Sequence, residues 1–316
     1  MADKIVVVGS LNMDVVGCAP RIPVAGETIT GHTFFSAPGG KGANQAFAAA
    51  RLGGRVAMLG RVGNDDFGRK MRSNLEHVGC DVRGVAAMAD CTSGIALIFV
   101  ADSGQNSIVI VPGANHRFSP EEIEDAPAHF EGAASVLLQL ENPLPTVLAA
   151  ARMARRVGAR VVLDPAPARP VPDELLRLSD IVTPNESEAA ILAGLAPGPL
   201  TSEQALSLAR ALQSRGARTV IVKLGEQGCL LVDAKGSTRV AAPAVKAVDT
   251  TAAGDVFNAG LAVALSEGLD LASACKFANH AAALSVTRLG AQASAPLRAE
   301  LDAFTAAICD GGPRPS

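Results

Sequence analysis

The chain has 316 residues, of which 48% are hydrophobic, so it can bury a large core and is not expected to be disordered. A net charge of −3 and the absence of Trp and Tyr argue against nucleic acid as a partner. Six scattered cysteines form no C-x-x-C pair and no apolar run approaches a membrane span, so we expect a cytoplasmic protein without membrane contact.

Short β-branched runs alternate with Ala-rich segments of helical length, which predicts parallel strands crossed by helices. The predicted strands are 5–8, 56–59, 135–140, 160–163, 180–183, 220–223 and 229–232. The predicted helices are 43–52, 67–78, 145–157, 202–215, 256–266, 271–287 and 297–308. We therefore expect one α/β domain over residues 1–310, followed by a frayed tail at 311–316.

Two stretches, 12–38 and 92–112, interrupt this alternation. In the second, the runs TSGIALIFV and NSIVIVPG flank the turn ADSGQ, which is the pattern of a β-hairpin. Both stretches are predicted to be antiparallel ribbons. Together they could form a small sheet that covers a site on the main sheet as a lid does. A decorative extension of the sheet edge is the alternative.

Several common motifs are absent. The first strand is followed by GSLNMD, which lacks the G-x-G-x-x-G of a dinucleotide site and makes a dinucleotide oxidoreductase a poor candidate. Gly40 and Lys41 are followed by Gly, so they are not part of a Walker A loop. A nucleotide enzyme with this sequence must hold phosphate in another way.

The segment VDTTAAGDVFNAG, residues 248–260, combines small residues, a helix start and an acid. Small side chains let phosphate oxygens approach backbone N–H groups, and a helix N-terminus adds partial positive charge. We therefore predict an anion hole at Ala252, Ala253 and Gly254. Asp255, on the first helical turn, is the predicted general base for a hydroxyl that attacks phosphorus. The alternative is that Asp255 only caps the helix.

The run DTTAAGD resembles the D-T-x-x-A-G-D signature of the PfkB carbohydrate kinases, the ribokinase family. PGGKGANQAFAAARLG, residues 38–53, is similar to the Gly-Gly motif of that family. Further similar segments are GSLNMD (9–14), QLE (139–141), DPAPA (164–168), TPNESEA (183–189), VKLGEQG (222–228) and TRLGAQAS (287–294). The resemblance implies a ribokinase-like three-layer α/β/α fold with a mainly parallel central sheet and a small antiparallel β lid.

The implied activity is ATP-dependent phosphorylation of a small sugar, with the 5-hydroxyl of D-ribose as the first expectation. Deoxyribose, fructose and nucleosides such as adenosine are alternative acceptors. A sugar-binding regulator that has lost catalysis is the alternative from another class. The resemblance also suggests a homodimer that buries the exposed face of the lid.

The resemblance assigns residues to the two substrates. The implied sugar-binding residues are Asn12, Asp14, Gly40, Lys41, Asn44, Glu141 and Asp255, with Gly39 and Gly40 as the hinge of the lid. The implied ATP-binding residues are Asn185, Lys223, Gly225, Gly228, Gly254 and Asn279. Taken singly, each of these residues has an ordinary alternative. The asparagines could be turn, cap or helix residues, and the glycines could be parts of tight turns. Lys41 could be a solvated lysine, and Glu141 could be a surface acid.

Two cations follow from the same resemblance. Asn185 and Glu188 are implied to hold Mg²⁺ through water, although their spacing also fits a capping box, and both can hold at once. K⁺ is implied as a monovalent activator, bound by Asp249, Thr251, Ser285, Arg288, Gly290 and Ser294, several of them through carbonyls. An exposed basic residue is the alternative for Arg288.

The chain departs from the family at two positions. Ala252 stands where Gly is common, so we expect the backbone there to avoid a strongly positive φ. Asp164 stands where ribokinases commonly have Asn, and it could alter the charge near the phosphates.

Overall fold

The structure is a computed structural model that describes residues 3–309, so the predicted tail at 311–316 lies outside the described residues. The strands are β1 (Lys4–Val8), β2 (Asn12–Ala19), β3 (Thr33–Gly39), β4 (Arg55–Gly63), β5 (Asp81–Met88), β6 (Gly94–Ala101), β7 (Asn106–Val111), β8 (Ala133–Leu138), β9 (Arg160–Leu163), β10 (Ile181–Val182), β11 (Thr219–Lys223), β12 (Cys229–Asp233) and β13 (Gly236–Val240). The α-helices are α1 (Lys41–Arg51), α2 (Asp66–His77), α3 (Pro120–Glu124), α4 (Leu144–Arg156), α5 (Asp173–Leu178), α6 (Glu186–Leu192), α7 (Ser202–Ser214), α8 (Ala253–Ser266), α9 (Leu271–Ser285) and α10 (Arg298–Cys309).

Nine strands form a large sheet in the order β13-β12-β11-β10-β9-β8-β1-β4-β5. Its strands pair in parallel except at β11–β12 and β12–β13. All seven predicted strands belong to this sheet. The two that the sequence did not reveal, β5 and β13, are its edges. Parallel strands buried on both faces are continuous apolar runs, whereas edge strands carry polar and exposed residues, so the edges gave no clear signal.

The small sheet has the order β3-β2-β6-β7. Its two antiparallel ribbons, β2–β3 and β6–β7, match the predicted stretches 12–38 and 92–112, except that β3 runs one residue further, to Gly39. The ribbons join through a parallel pairing of β2 with β6, in which Asn12 lies opposite Gly94. Nothing in the local pattern indicated this join, because it connects strands distant in the chain.

Helices cover both faces of the large sheet. On β1, Ile5 and Val7 belong to the core cluster that includes α1, α2, α8, α9 and α10, while Val6 and Val8 belong to the cluster formed with α3 to α7. The predicted three-layer α/β/α arrangement with a mainly parallel sheet is therefore confirmed. Each helix within residues 3–309 is too short or too polar to cross a lipid bilayer.

The longer helices were predicted well, and the short ones were not. Helix α8 begins at Ala253, three residues before the predicted start, while α9 ends at Ser285, two residues before the predicted end. Helices α3 and α5 have only five and six residues, too few for an apolar period to show.

Helix α1 begins directly against the end of β1. A Cβ atom at Gly42 would lie 2.6 Å from the Cα atom of Gly9, so only glycine permits this approach. Gly40 precedes the helix with a φ of 89°, and a Cβ atom there would lie 2.6 Å from the amide nitrogen of Asn12. The Gly-Gly motif therefore brings the start of α1 to the carboxyl edge of the sheet, where ligands of open α/β sheets bind.

Candidate active site

Polar side chains gather at the carboxyl ends of the parallel strands. Asn12 follows β1, Glu141 follows β8, Asp164 follows β9, Asn185 follows β10, and Lys223 ends β11. A cavity of about 940 Å³ opens at this edge of the sheet. Its lining includes Lys41, Asp164, Asn185, Glu188, Lys223, Gly225, Gly228, Ala252, Ala253, Gly254, Asp255 and Asn279. The structure thus brings the predicted nucleotide residues and the predicted anion hole into one cavity.

The anion hole is the N-terminus of α8. The first N–H groups of a helix have no intrahelical acceptor, and no side chain caps this terminus. The Ala253 N–H donates to the carbonyl of Thr250 at 3.2 Å. The next two amides, those of Gly254 and Asp255, have no capping side chain as an acceptor. This arrangement suits the binding of phosphate oxygens.

The expectation for the backbone at Ala252 is wrong. Ala252 has φ 58° and ψ 13°, the left-handed conformation, and within residues 3–309 no other non-glycine residue has a positive φ. The conformation costs about 1–2 kcal/mol for an L-residue. Alanine adopts it here because it is the residue that turns the chain from the loop into α8, and it is held by the packing of that buried helix.

Asp255 is only 4% exposed, and neither it nor any other side chain makes a capping hydrogen bond at the N-terminus of α8. Asn44 Nδ2 donates to Oδ2 at 3.1 Å, and Gln45 Nε2 donates to Oδ1 at 3.1 Å. The alternative that Asp255 caps α8 is therefore not what the structure contains. Burial raises the pKa of Asp255 to about 6, helped by Asp164 and opposed by Lys41 and the two amides.

Two of the predicted sugar residues, Asn12 and Lys41, bond to Glu141, whereas Asn44 bonds to Asp255. Glu141 Oε2 accepts hydrogen bonds from the Lys41 N–H at 3.0 Å, from Asn12 Nδ2 at 3.5 Å and from the hydroxyl of Ser10. Burial and the nearby Glu141 raise the pKa of Asp14 to about 6. Glu141 is thus an anchor of this group, and the interpretation of it as a mere surface acid is excluded.

Lys41 lines the cavity, and its backbone N–H bonds to Glu141. Although burial acts to lower its pKa, the carboxylates of Asp255, Asp164, Glu141 and Glu188 raise it well above the usual range. The ammonium therefore stays charged and partly offsets a cluster of acids. A freely solvated lysine, the alternative considered from the sequence, does not describe this position.

On the nucleotide side, Lys223 Nζ lies 3.0 Å from Asp164 Oδ1, and both side chains are nearly buried. The charge that Asp164 brings in place of Asn is thus paired within the protein. Gly228 has φ 88°, and a Cβ atom there would lie 2.1 Å from the Val240 carbonyl oxygen. Gly225 also has a positive φ, 55°. Gly228 is required for the turn that leads from β11 to β12, whereas at Gly225 a side chain would find open space and only the backbone angle favours glycine.

Asn279 has a structural task that the sequence did not show. Its Nδ2 donates to the Val240 carbonyl at 2.9 Å and lies 3.4 Å from the Ala241 carbonyl, so it ties α9 to the chain after β13. The segment that follows β13, together with residues at the end of α9, forms an aliphatic wall of the cavity. The wall residues missed from the sequence are Ala242, Pro243, Ala244, Val245, Ala247, Ala282, Ala283 and Val286. Their small apolar side chains carry no chemical signature, and only the fold brings them together.

Asn185 and Glu188 form the capping box of α6. The Glu188 N–H donates to Asn185 Oδ1 at 2.8 Å, and the Asn185 N–H donates to Glu188 Oε2 at 2.7 Å. Glu188 Oε1 has no such bond and belongs to a side chain that lines the cavity. Burial and Asp164 raise the pKa of Glu188, while Lys223 and Lys41 oppose the change.

The Glu188 carboxylate and the Asn185 amide oxygen fit Mg²⁺, which takes one or two carboxylates and completes its shell with water and phosphate. In the described part of the chain, no three His, Cys, Asp or Glu side chains cluster as a full protein cage would require.

The residues implied for K⁺ are only partly linked. Asp249 Oδ1 accepts from the Thr251 N–H at 2.9 Å, and Oδ2 accepts from the Gly290 N–H at 2.8 Å. Burial opposes the effect of these bonds, which nevertheless hold the pKa of Asp249 below its usual range. The side chain of Arg288 pairs with Glu300 at 3.1 Å, so only its carbonyl is free to face a cation.

The hydroxyls of the other two implied K⁺ residues bond to local carbonyls. Ser285 donates to Ala282, and Ser294 donates to Ala291. Any contribution of these serines to a cation site would therefore come from their backbone oxygens.

Comparison with known proteins identifies the family. Residues 2–298 match the pfkB family carbohydrate kinase domain. The ribokinase of Haemophilus influenzae is 43% identical over 302 residues, which cover 95% of this chain and 97% of that protein. The ribokinase of Bacillus subtilis is 42% identical over 301 residues, with 95% and 98% covered. The structure of Arabidopsis thaliana ribokinase complexed with ribose and ATP has a TM-score of 0.90 and 36% identity, with 96% and 98% covered.

The fold and the site define an ATP-dependent sugar kinase, an enzyme that transfers a phosphoryl group to an alcohol. The uncapped α8 terminus, the Asp255 carboxylate and the side chains of Lys41 and Lys223 all line one cavity. The chain belongs to the pfkB family of carbohydrate kinases. Kinases of ATP require Mg²⁺ to bridge and neutralise the phosphates.

Proposed function

We propose that the protein transfers the γ-phosphoryl group of ATP to the 5-hydroxyl of D-ribose, giving ribose 5-phosphate and ADP. The observation that carries this proposal is the buried Asp255 carboxylate beside the uncapped N-terminus of α8. An alcohol that attacks phosphorus needs a base close to donors that hold the phosphate. Ribose is favoured because the relatives described above are ribokinases, and because the amides and carboxylates around Glu141 suit a small polyol.

In the proposed reaction, Asp255 takes the proton of the 5-hydroxyl as that oxygen attacks the γ-phosphorus. The bond to the β–γ bridging oxygen breaks, and ADP leaves with the bonding electrons. In the predicted anion hole at 252–255, the amides of Gly254 and Asp255 are free to stabilise the charge on the transferring group, whereas the Ala253 amide is bonded to the Thr250 carbonyl. Lys41 and Lys223 both line the cavity, and their positive charge partly offsets that of its acids. Asn12, Asp14, Gly40, Asn44 and Glu141 orient the sugar.

A panel of acceptors tests the proposal. Incubation with ATP and Mg²⁺ should release ADP in proportion to added D-ribose, and less efficiently with 2-deoxyribose, fructose or adenosine. Higher kcat/KM for one of those acceptors would reassign the substrate. ADP release that no sugar stimulates, together with sugar binding in calorimetry, would instead support the non-catalytic regulator.

We propose that Asn185 and Glu188 hold Mg²⁺ through water, with Glu188 Oε1 facing the cavity. When bound, the metal supplies charge that neutralises the phosphates. Asn185→Ala and Glu188→Ala should each raise the Mg²⁺ concentration for half-maximal rate by about tenfold, because a charge-assisted contact is lost.

The matched control is the capping box of α7, where Thr201 and Gln204 make the same reciprocal bonds. Thr201→Ala and Gln204→Ala should lower the melting temperature without changing the Mg²⁺ titration. An identical Mg²⁺ response in both pairs of variants would show that Asn185 and Glu188 only cap their helix.

We propose a K⁺ site at Asp249, Thr251, Ser285, Arg288, Gly290 and Ser294, built mainly from carbonyl oxygens around the Asp249 carboxylate. Asp249 and Thr251 precede α8 directly, and Asp249 bonds to Gly290 in the segment after α9, so a cation there would steady the anion hole. Rates in KCl should exceed those in choline chloride at equal ionic strength. Equal rates in the two salts would remove K⁺ from the proposal.

We propose that the small sheet, residues 12–38 and 92–112, closes over the sugar as a lid hinged at Gly39 and Gly40. Asn12 and Asp14 lie on its strand β2, so bound sugar would contact the sheet directly. Hydrogen exchange of the backbone at 92–112 should slow when the sugar is added. Unchanged exchange would leave these strands as a fixed extension.

We propose that a second copy of the chain covers the exposed face of the small sheet. Phe34 is 72% exposed and Ile108 is 52% exposed, and other large apolar side chains of β3, β6 and β7 are also open to solvent. Exposed apolar strands are commonly covered in oligomers. Light scattering should give twice the mass of one chain, and Phe34→Ser should lower it. A monomeric wild type would exclude the homodimer.

We propose the cytoplasm as the location. Cys18, Cys80, Cys91, Cys229 and Cys275 are free thiols, as a reducing compartment maintains them. Recovery of the protein in a membrane or secreted fraction would contradict this.

A further inference from the structure

Gln45, on α1, is fully buried and lies between two acids. Its Nε2 is 3.1 Å from Asp255 Oδ1 and 2.9 Å from Asp164 Oδ2. A side-chain amide nitrogen carries two hydrogens, so each carboxylate receives one of them. Gln45 does not line the cavity, so it can influence a bound substrate only through the groups that it contacts.

The orientation of this amide follows from its surroundings. Gln139 Nε2 donates to Gln45 Oε1 at 2.7 Å, which leaves the nitrogen of Gln45 to face the acids. The reversed amide would point its oxygen at two carboxylates, which repel it. Lys223 holds the other oxygen of Asp164 at 3.0 Å, so the chain of contacts runs from Gln139 to the nucleotide side.

We propose that Gln45 is a positioning residue, which holds the Asp255 carboxylate toward the acceptor hydroxyl and couples its place to Asp164 beside the phosphates. The inference rests on the proposed role of Asp255 as general base. Because Asn44 fixes one oxygen and Gln45 the other, the carboxylate cannot rotate about its bond without losing both donors.

The charges that face Asp255 predict how its titration responds. Lys41 from α1 favours the ionised form, Asp164 from the end of β9 disfavours it, and the amides of Asn44 and Gln45 favour it. Glu141 and Glu188 face Lys41 and act through it. Loss of Gln45 removes a donor to the ionised form, and the pKa of Asp255 should therefore rise.

The test variant is Gln45→Leu, which keeps the volume and removes both donated bonds. We expect kcat with ATP and D-ribose to fall about 10- to 100-fold, with the KM for ATP changed less than about threefold. The acid limb of the kcat profile should move about one pH unit upward. Should Gln45→Leu not fold, Gln45→Met, with an unbranched side chain, serves in its place.

Gln213→Leu is the matched control, since Gln213 Nε2 also donates two bonds, at 3.2 Å to the Arg218 carbonyl and at 3.3 Å to that of Val232. These acceptors are backbone groups away from the cavity. The control should lose stability and keep the pH profile of wild type.

A double-mutant cycle with Asp255→Asn gives the decisive comparison. If Gln45 acts through Asp255, Gln45→Leu should lower the residual kcat of Asp255→Asn by less than about threefold. An equal loss in both backgrounds, or an unmoved acid limb, would overturn the inference.

A readout without sugar separates this inference from the choice of substrate. Carbon NMR of labelled aspartate, with the Asp255 signal assigned by its absence in Asp255→Asn, reports the pKa directly. It should be higher in Gln45→Leu than in wild type, whichever sugar is the acceptor. An unchanged pKa overturns the inference, whereas inactivity toward ribose with a raised pKa overturns only the proposed substrate.

Discussion

Replacement of Asp255 by Asn should lower kcat by at least about a hundredfold, since general bases contribute about 10²- to 10⁴-fold. The amide keeps the size of the side chain and removes the basic oxygen. ADP affinity should change little, because the amides of the α8 terminus remain. Kinetics at saturating ATP and sugar, with calorimetry for ADP, provide the measurement.

Asp270→Asn is the control for this variant. Asp270 caps α9 by accepting from the N–H groups of Ala272 and Ser273, and Asn caps helices about as well as Asp. That substitution should leave kcat unchanged. If Asp255→Asn also turned over at nearly the wild-type rate, the assignment of the base would be wrong.

The pH dependence of the wild type follows from the same carboxylate. Only ionised Asp255 can accept a proton, and burial raises its pKa to about 6. The rate should therefore rise with pH through about 6 and level off above it.

Lys41→Met should have the second largest effect. The side chain keeps its length and loses the charge that opposes the acids around it. Without this cation, the ionised form of Asp255 is less stable, so its pKa rises and the acid limb of the rate profile moves upward. The cavity also loses one cation for the transferring phosphate, and we expect a loss in kcat of about a hundredfold at pH 7.

Lys235→Met, at an exposed turn between β12 and β13, makes the same change of charge away from the cavity. It should alter neither kcat nor the pH profile. An unmoved acid limb in Lys41→Met would mean that Lys41 does not control the ionisation of Asp255.

The sequence by itself determined the parts of the protein that depend on local pattern. The interior strands of the large sheet are continuous apolar runs because both of their faces are buried, and they were predicted from that signal. The small residues before α8 and the acid on its first turn likewise predicted an anion hole with a base. The resemblance to the PfkB kinases then supplied the family, which the comparisons confirmed.

Tertiary structure alone decided the features that join distant parts of the chain. Gln45 contacts Asp164 and Asp255 although more than a hundred residues separate each pair. The parallel pairing of β2 with β6 also connects strands that are distant in the chain. The left-handed Ala252 shows the limit of a local rule, because packing around α8 outweighs a cost of about 1–2 kcal/mol. Contacts of this kind depend on how the fold places the ends of strands next to the starts of helices. A local sequence pattern does not contain that information.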